Sequence, residues 1–231
     1  MIVPSTPDIS HVAGLLADPS RASIIISLLD GRPQTATELA NHAKVTPQTA
    51  SAHLSKLVSG NLITKEVHGR YRYFRLTDPN VARAIESLIA ISGPSEIQSL
   101  RDSEEDRALR EARTCYDHLA GKLGTNLARS LESHGFVTRS GDDFILTDSG
   151  RQFLTQFGIN ITKAERRRRK FIYPCMDWSE RTPHIGGALG AALLDRISEL
   201  GWIERGMSNR TIRVTEAGQQ GFYERFGIPS A

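Results

Sequence analysis

Residues 45–63 read VTPQTASAHLSKLVSGNLI, and residues 68–76 read HGRYRYFRL. Thr46-Pro47 pairs an N-cap with a proline at the first helical position. From there Ala50, Leu54, Leu57 and Val58 recur at helical spacing, and Gly60-Asn61 stops the helix. Residues 62–67 and 70–76 alternate about the His68-Gly69 turn, which predicts a β-hairpin. Upstream, Asp18-Pro19 opens a helix through Ile24, Ile25, Leu28 and Leu29 that ends at Gly31. Thr35 to Glu38 has the form of a capping box. The order is therefore helix, short helix, amphipathic helix, hairpin. Asp78-Pro79 then opens a further helix with Val81, Ile85, Leu88 and Ile89 as its apolar stripe, and Gly93-Pro94 breaks it.

A helix-turn-helix places its second helix in the major groove, so that helix needs an outer face of small polar residues. Here that face carries Gln48, Thr49, Ala52 and Lys56, with Ser51 and His53 flanking. Gln and Lys hydrogen-bond base edges, while Thr and Ser serve bases or phosphates. Thr46 stands at the helix N-terminus, where backbone amides attract phosphate. The hairpin tip, with His68, Arg70 and Arg72 around Tyr71 and Tyr73, suits a wing on the DNA backbone or in the minor groove.

These two motifs, with ADPSRASIIISLL at residues 17–29, resemble the ArsR/SmtB family over about residues 8–92. The resemblance implies a winged-helix homodimer that binds a double-stranded DNA operator. It further implies a repressor released by an inducer. It puts the dimer interface at residues 11–16 and 81–91. Metal-sensing members carry a cysteine pair before the recognition helix, but residues 35–43 contain no cysteine. Others use Asp, His and Glu after the wing; residues 78–91 offer Asp78 and Glu86 without a histidine. No metal ligand is therefore carried over, no catalytic residue is assigned, and the residues name no cofactor.

The chain has 231 residues, 39% hydrophobic and 24% charged, with net charge +3. That composition reads as globular rather than disordered, and its mild basic excess permits nucleic-acid binding. No apolar run reaches membrane-spanning length, so no membrane partner is expected. Met1 to Ser10 lacks the pattern of a signal peptide, which makes the cytoplasm the expected location. Two cysteines, Cys115 and Cys175, are too few for a disulfide scaffold.

The expected organisation is mainly α with small β-wings. Residues 1–94 form a winged helix-turn-helix for DNA binding and dimerisation. Residues 95–231 form a sensor or assembly domain of two winged-helix-like repeats, at about 113–160 and 173–229. HLAGKLG at 118–124 matches HIGGALG at 184–190. Gly135-Phe136-Val137 matches Gly201-Trp202-Ile203, LTDSG at 146–150 matches VTEAG at 214–218, and both copies close on FGI at 157–159 and 226–228. Such matching predicts two helix–hairpin–helix copies about a pseudo-twofold axis.

Candidate sensing residues in that half are Cys115, Asp117, His118, Cys175, Asp177 and His184. Thiolate, imidazole and carboxylate suit a soft or borderline metal. Cys115-x-x-His118 is read as one face of a helix, whereas eight residues separate Cys175 from His184. Facing cysteines would instead suit a redox disulfide. Buried cysteines also act simply as small hydrophobes, and the aspartates as turn residues. An organic inducer between the repeats, lined by Tyr116, Phe171, Tyr173 and Trp178, is a further reading. The effector is thus open between a small molecule, a redox event and a metal. The five cations at 166–170 suit a solvated face, a phosphate contact or pairing with acids across the repeat interface. The competing function is a thiol-dependent enzyme using Cys115 or Cys175 with a histidine base.

Overall fold

The computed structural model describes residues 8–93, 100–206 and 210–229. The chain divides into two compact units, Met1–Ile85 and Glu86–Ala231. The boundary expected at 94–95 lies outside the described residues.

The first unit contains α1 (Ile9–Leu16), α2 (Pro19–Ser27), β1 (Gln34–Thr35), α3 (Ala36–His42), α4 (Pro47–Ser59), β2 (Ile63–His68) and β3 (Tyr71–Leu76). Helix α5 (Pro79–Ile91) begins in this unit and ends in the second. The starts follow the local chemistry. The Asp18 and Thr46 side chains accept from the backbone N–H of Arg21 and Thr49, each with a proline in the first turn. At α3 the Thr35 side chain accepts from the Glu38 N–H at 3.3 Å, and the Glu38 carboxylate accepts from the Thr35 N–H at 2.7 Å. Ile24, Ile25, Leu28, Leu29, Leu39, Leu54 and Leu57 are buried, with Ile63 and Leu76 of the hairpin. The sheet has the order β1-β3-β2, so a third short strand joins the expected hairpin. Thr35→Ala removes the capping box, and urea unfolding of the full chain is expected to read about 1 kcal/mol lower stability in this unit.

In the second unit α6 (Leu100–Glu111) leads into two copies of one pattern. The first is β4 (Arg113–Cys115), β5 (His118–Ala120), α7 (Gly121–Ser133), β6 (Val137–Ser140), β7 (Asp143–Leu146) and α8 (Asp148–Gln156). After α9 (Ile161–Glu165) come β8 (Tyr173–Met176), β9 (Pro183–Gly186), α10 (Gly187–Glu199), β10 (Ile203–Arg205), β11 (Ile212–Val214) and α11 (Glu216–Phe226). Each copy is thus the expected helix, hairpin and helix, led by an additional short hairpin. Thr147 and Thr215 cap α8 and α11 in the same way, accepting from Gly150 and Gly218.

The leading hairpin corrects the sequence reading at Cys115 and His118. They do not share a helix face: they are cross-strand partners in β4 and β5, as Cys175 and His184 are in β8 and β9. Tyr116 adopts φ 59° in the first turn, which lets the chain reverse between Cys115 and His118. The second hairpin has a longer loop, which accounts for the unequal spacing. The copies then exchange partners: α7 packs on β9, and α10 packs on β5. Glycine makes this approach close. A Cβ at Gly190 would stand 2.3 Å from the Ile185 carbonyl oxygen and 3.0 Å from His118 Cβ. At Gly124 it would stand 2.5 Å from the Leu119 carbonyl oxygen and 3.6 Å from His184 Cβ. One apolar core, including Leu127, Leu131, Leu193 and Ile197, spans both copies.

Candidate nucleic-acid interface and a buried cysteine–histidine cluster

Helix α4 is two-sided because its apolar residues follow the helical period. Ala50, Leu54 and Leu57 are buried, while Thr46, Gln48, Thr49, Ser51, Ala52 and Lys56 are exposed. His53 departs from that exposed set. Its side chain is only 14% exposed, and Nδ1 lies 3.9 Å from the Asp18 carboxylate, so the ring faces the start of α2. In the hairpin, β2 and β3 pair from Ile63↔Leu76 to His68↔Tyr71. That register leaves His68, Arg70 and Arg72 exposed around the tip. The Arg70 guanidinium lies 5.1 Å from the Tyr71 ring centre and donates to its hydroxyl at 3.1 Å. Arg75 is occupied by Glu66 at 2.5 Å, so it is less available to a phosphate than Arg70 or Arg72.

In the second unit the predicted sensing residues come together. One potential ligand atom from each of Cys115, His118, Cys175 and His184 lies within 4.8 Å of the others, and all four residues are buried. The sulfurs are free thiols 3.9 Å apart. The two imidazole rings have centres 5.0 Å apart. Tyr173 packs against the cysteines and meets His118 edge-on at 6.4 Å.

The two aspartates stand behind the histidines. Asp117 Oδ1 is 3.3 Å from His118 Nδ1, and Asp177 Oδ2 is 3.2 Å from His184 Nδ1. The second is a close contact rather than a hydrogen bond. Nε2 of both rings is buried without a hydrogen-bond partner. Each carboxylate is anchored by an arginine. Arg113 Nη2 donates to Asp177 at 2.9 Å, with both side chains fully buried. Arg169 Nη1 donates to Asp117. Asp177 also accepts from the backbone N–H groups of Gly121 at 2.7 Å and Ser179 at 2.9 Å.

Charge follows this arrangement. Burial opposes ionisation of Asp177, but His184 and Arg113 outweigh it and hold the carboxyl far below the usual range. Burial likewise opposes ionisation of Asp117, and His118 and Arg169 overcome it. The hydrogen bond with Cys175, then burial, pushes the Cys115 thiol well up. Burial disfavours the charged His118 ring, yet the Cys115 sulfur and Asp117 raise its pKa to about 10.

Sequence reasoning did not find Arg113 or Glu86 as buried charges; Glu86 pairs with Arg210 in the second unit. The Trp178 indole, expected to line a site for an organic inducer, is covered by the Arg113 guanidinium at 4.4 Å. Of the five clustered cations, Arg167, Arg169 and Lys170 contact Asp195, Asp117 and Asp143, acids from both copies.

A helix-turn-helix with an exposed polar second helix and a cationic hairpin defines a winged helix-turn-helix DNA-binding protein. The family of helix-turn-helix domains HTH_20 matches residues 16–66. The chain is 46% identical over 222 residues to the uncharacterized HTH-type transcriptional regulator YdfF of Bacillus subtilis (strain 168), covering 96% of this chain and 98% of that protein. It is 34% identical over 83 residues to the HTH-type transcriptional regulator CmtR of Mycobacterium tuberculosis (strain H37Rv), covering 36% and 70% respectively. Among solved structures, the cadmium metal-sensor CmtR of Mycobacterium tuberculosis aligns with TM-score 0.32 and 30% identity, over 39% of this chain and all of that one. The homodimeric winged helix-turn-helix domain of Mb0332 from Mycobacterium bovis aligns with TM-score 0.33 and 29% identity, over 35% and 73%. The chain belongs to the ArsR/SmtB-type helix-turn-helix transcriptional regulators, and it is a DNA-binding regulator of transcription.

Proposed function

We propose that the protein is a cytoplasmic, homodimeric repressor released from its operator by an effector acting on the second unit. The observation that carries the DNA face is α4, which buries Ala50, Leu54 and Leu57 and exposes Gln48, Thr49 and Lys56. A dimer presents two such helices to successive major grooves, about 34 Å apart. Apolar side chains exposed on α1 (Ile9, Val12) and on α5 (Leu88, Ile91) support dimerisation through those helices, because water-facing aliphatic groups gain by being covered. No single helix among the described residues is long and apolar enough to cross a membrane. Release requires the effector to bind the free and DNA-bound states with different affinity.

The thiol-enzyme reading is disfavoured by access. A nucleophilic cysteine needs an exposed, low-pKa thiolate. Cys115 is 2% exposed, and the Cys175 contact and burial push its thiol upward.

Selection of genomic fragments by the purified dimer is expected to enrich one palindromic site. On that site Gln48→Ala is expected to lose affinity by about 5- to 150-fold, the equivalent of about 1–3 kcal/mol for a base contact. Arg70→Ala is expected to weaken all sequences alike and to lower the salt slope by about 1. No enrichment, or unchanged affinity in both variants, removes this reading.

A further inference from the structure

We propose that Cys115, His118, Cys175 and His184 form a closed tetrahedral site for one thiophilic divalent cation of the zinc–cadmium class. Each leading hairpin supplies one cysteine and one histidine from equivalent cross-strand positions. The ion therefore ties copy to copy.

The sulfur separation fits shared coordination of one ion. Two metal–sulfur bonds of about 2.3 Å at a tetrahedral angle hold the sulfurs roughly 3.8 Å apart. The observed 3.9 Å matches that edge, and the two thiols are free. The nitrogens point the same way. Asp117 and Asp177 stand at Nδ1 of the two rings, and the buried Nε2 atoms have no protein partner. A carboxylate behind a ligating imidazole fixes its tautomer and orientation and raises its basicity. Arg169 and Arg113 hold those carboxylates, so neither aspartate competes as a ligand.

Donor chemistry selects the ion. Two thiolates and two imidazoles suit zinc and its softer congeners and exclude magnesium and calcium, which take oxygen ligands. Binding releases the two thiol protons, and any proton held at a histidine Nε2, to solvent, and the two thiolates neutralise the dication. Four protein ligands leave no position for substrate, which is the pattern of a structural or regulatory site rather than a catalytic one. The site stands independently of the DNA reading; only its use as the releasing effector rests on that reading.

The full chain, reduced and stripped with a chelator, is titrated with Zn²⁺ and with Co²⁺ as a spectroscopic probe, without DNA. One equivalent per chain is expected. Cobalt should show the intense visible bands of tetrahedral coordination with thiolate-to-metal charge transfer, and Zn²⁺ should raise the thermal midpoint. Cys115→Ser and Cys175→Ser should each abolish the tetrahedral spectrum. Asp117→Asn keeps all four ligands and a part-exposed position, so it should fold and lose affinity by about 10- to 100-fold. A folded, reduced chain that takes up no ion overturns the proposal. So does a bound ion whose spectrum and affinity are unmoved by these three substitutions, or a Cys115–Cys175 disulfide in the freshly purified protein. None of those results touches DNA affinity, so the recognition helix is judged separately.

Discussion

Arg113→Ala lowers the stability of the second unit by about 3–5 kcal/mol, the usual cost of removing one partner from a buried ion pair. The guanidinium is fully buried with Asp177. It donates to the Leu109 carbonyl at 3.0 Å, to Ser179 Oγ at 3.1 Å and to Asp177 at 2.9 Å, and it stacks on Trp178. Removing it leaves a carboxylate in the interior with backbone N–H groups and the His184 ring but no guanidinium. It also empties the space over the indole. The measurement is urea unfolding followed by tryptophan fluorescence, since Trp178 reports directly on the pair. A double variant, Arg113→Met with Asp177→Leu, should lose less than the single one, because it buries no lone charge. A single-variant loss below about 1 kcal/mol would show that the ion pair contributes little.

Glu86→Gln is expected to cost about 3 kcal/mol at neutral pH and to remove part of the acid sensitivity of the second unit. Glu86 and Arg210 are both buried and paired. Burial alone would raise the Glu86 pKa, but Arg210 and Arg113 outweigh it and hold the carboxyl below its usual value. A depressed carboxylate stabilises the fold fully above its unfolded pKa of about 4.3. That stabilisation is lost as pH falls through the lower folded value. Unfolding curves at a series of pH values from neutral to strongly acidic should show the native chain losing stability most steeply below about pH 4.3, and Glu86→Gln losing less. Equal slopes for the two proteins would mean that other carboxylates carry the acid transition.

Much of the first unit was legible from local chemistry. Thr46-Pro47, the Thr35–Glu38 box and the spacing of Ala50, Leu54 and Leu57 each act within one or two helical turns, so reading them needs no knowledge of the rest of the chain. The wing was legible because alternation and a Gly69 turn are also local. Strand β1 was not, since Gln34 and Thr35 become a strand only through pairing with Phe74 and Tyr73. The turn of His53 toward Asp18 was not legible for a related reason: its helical position alone does not reveal Asp18 beside it.

In the second unit the repeat was visible as matched words, but its geometry was not. Cys115-x-x-His118 satisfies helical spacing and a tight hairpin equally well. The signal that separates them lies in the other copy, where HIGGALG aligns His184 with His118 despite the longer gap from Cys175. A helix cannot hold both spacings on one face, whereas two hairpins with loops of different length can. By itself, then, the sequence determined the helix-turn-helix, the wing, the exposed face of α4 and the existence of two copies. All of these follow from periodicity, caps and turns a few residues long. Only the tertiary structure decided that the copies exchange helices, that Gly124 and Gly190 let them approach, and that two thiols and two imidazoles meet over Asp117 and Asp177. Those are pairings between groups some sixty residues apart, with Cys115 and Cys175 the clearest case. Such pairings are selected by burial and charge compensation across the shared core rather than by any preference of the local chain.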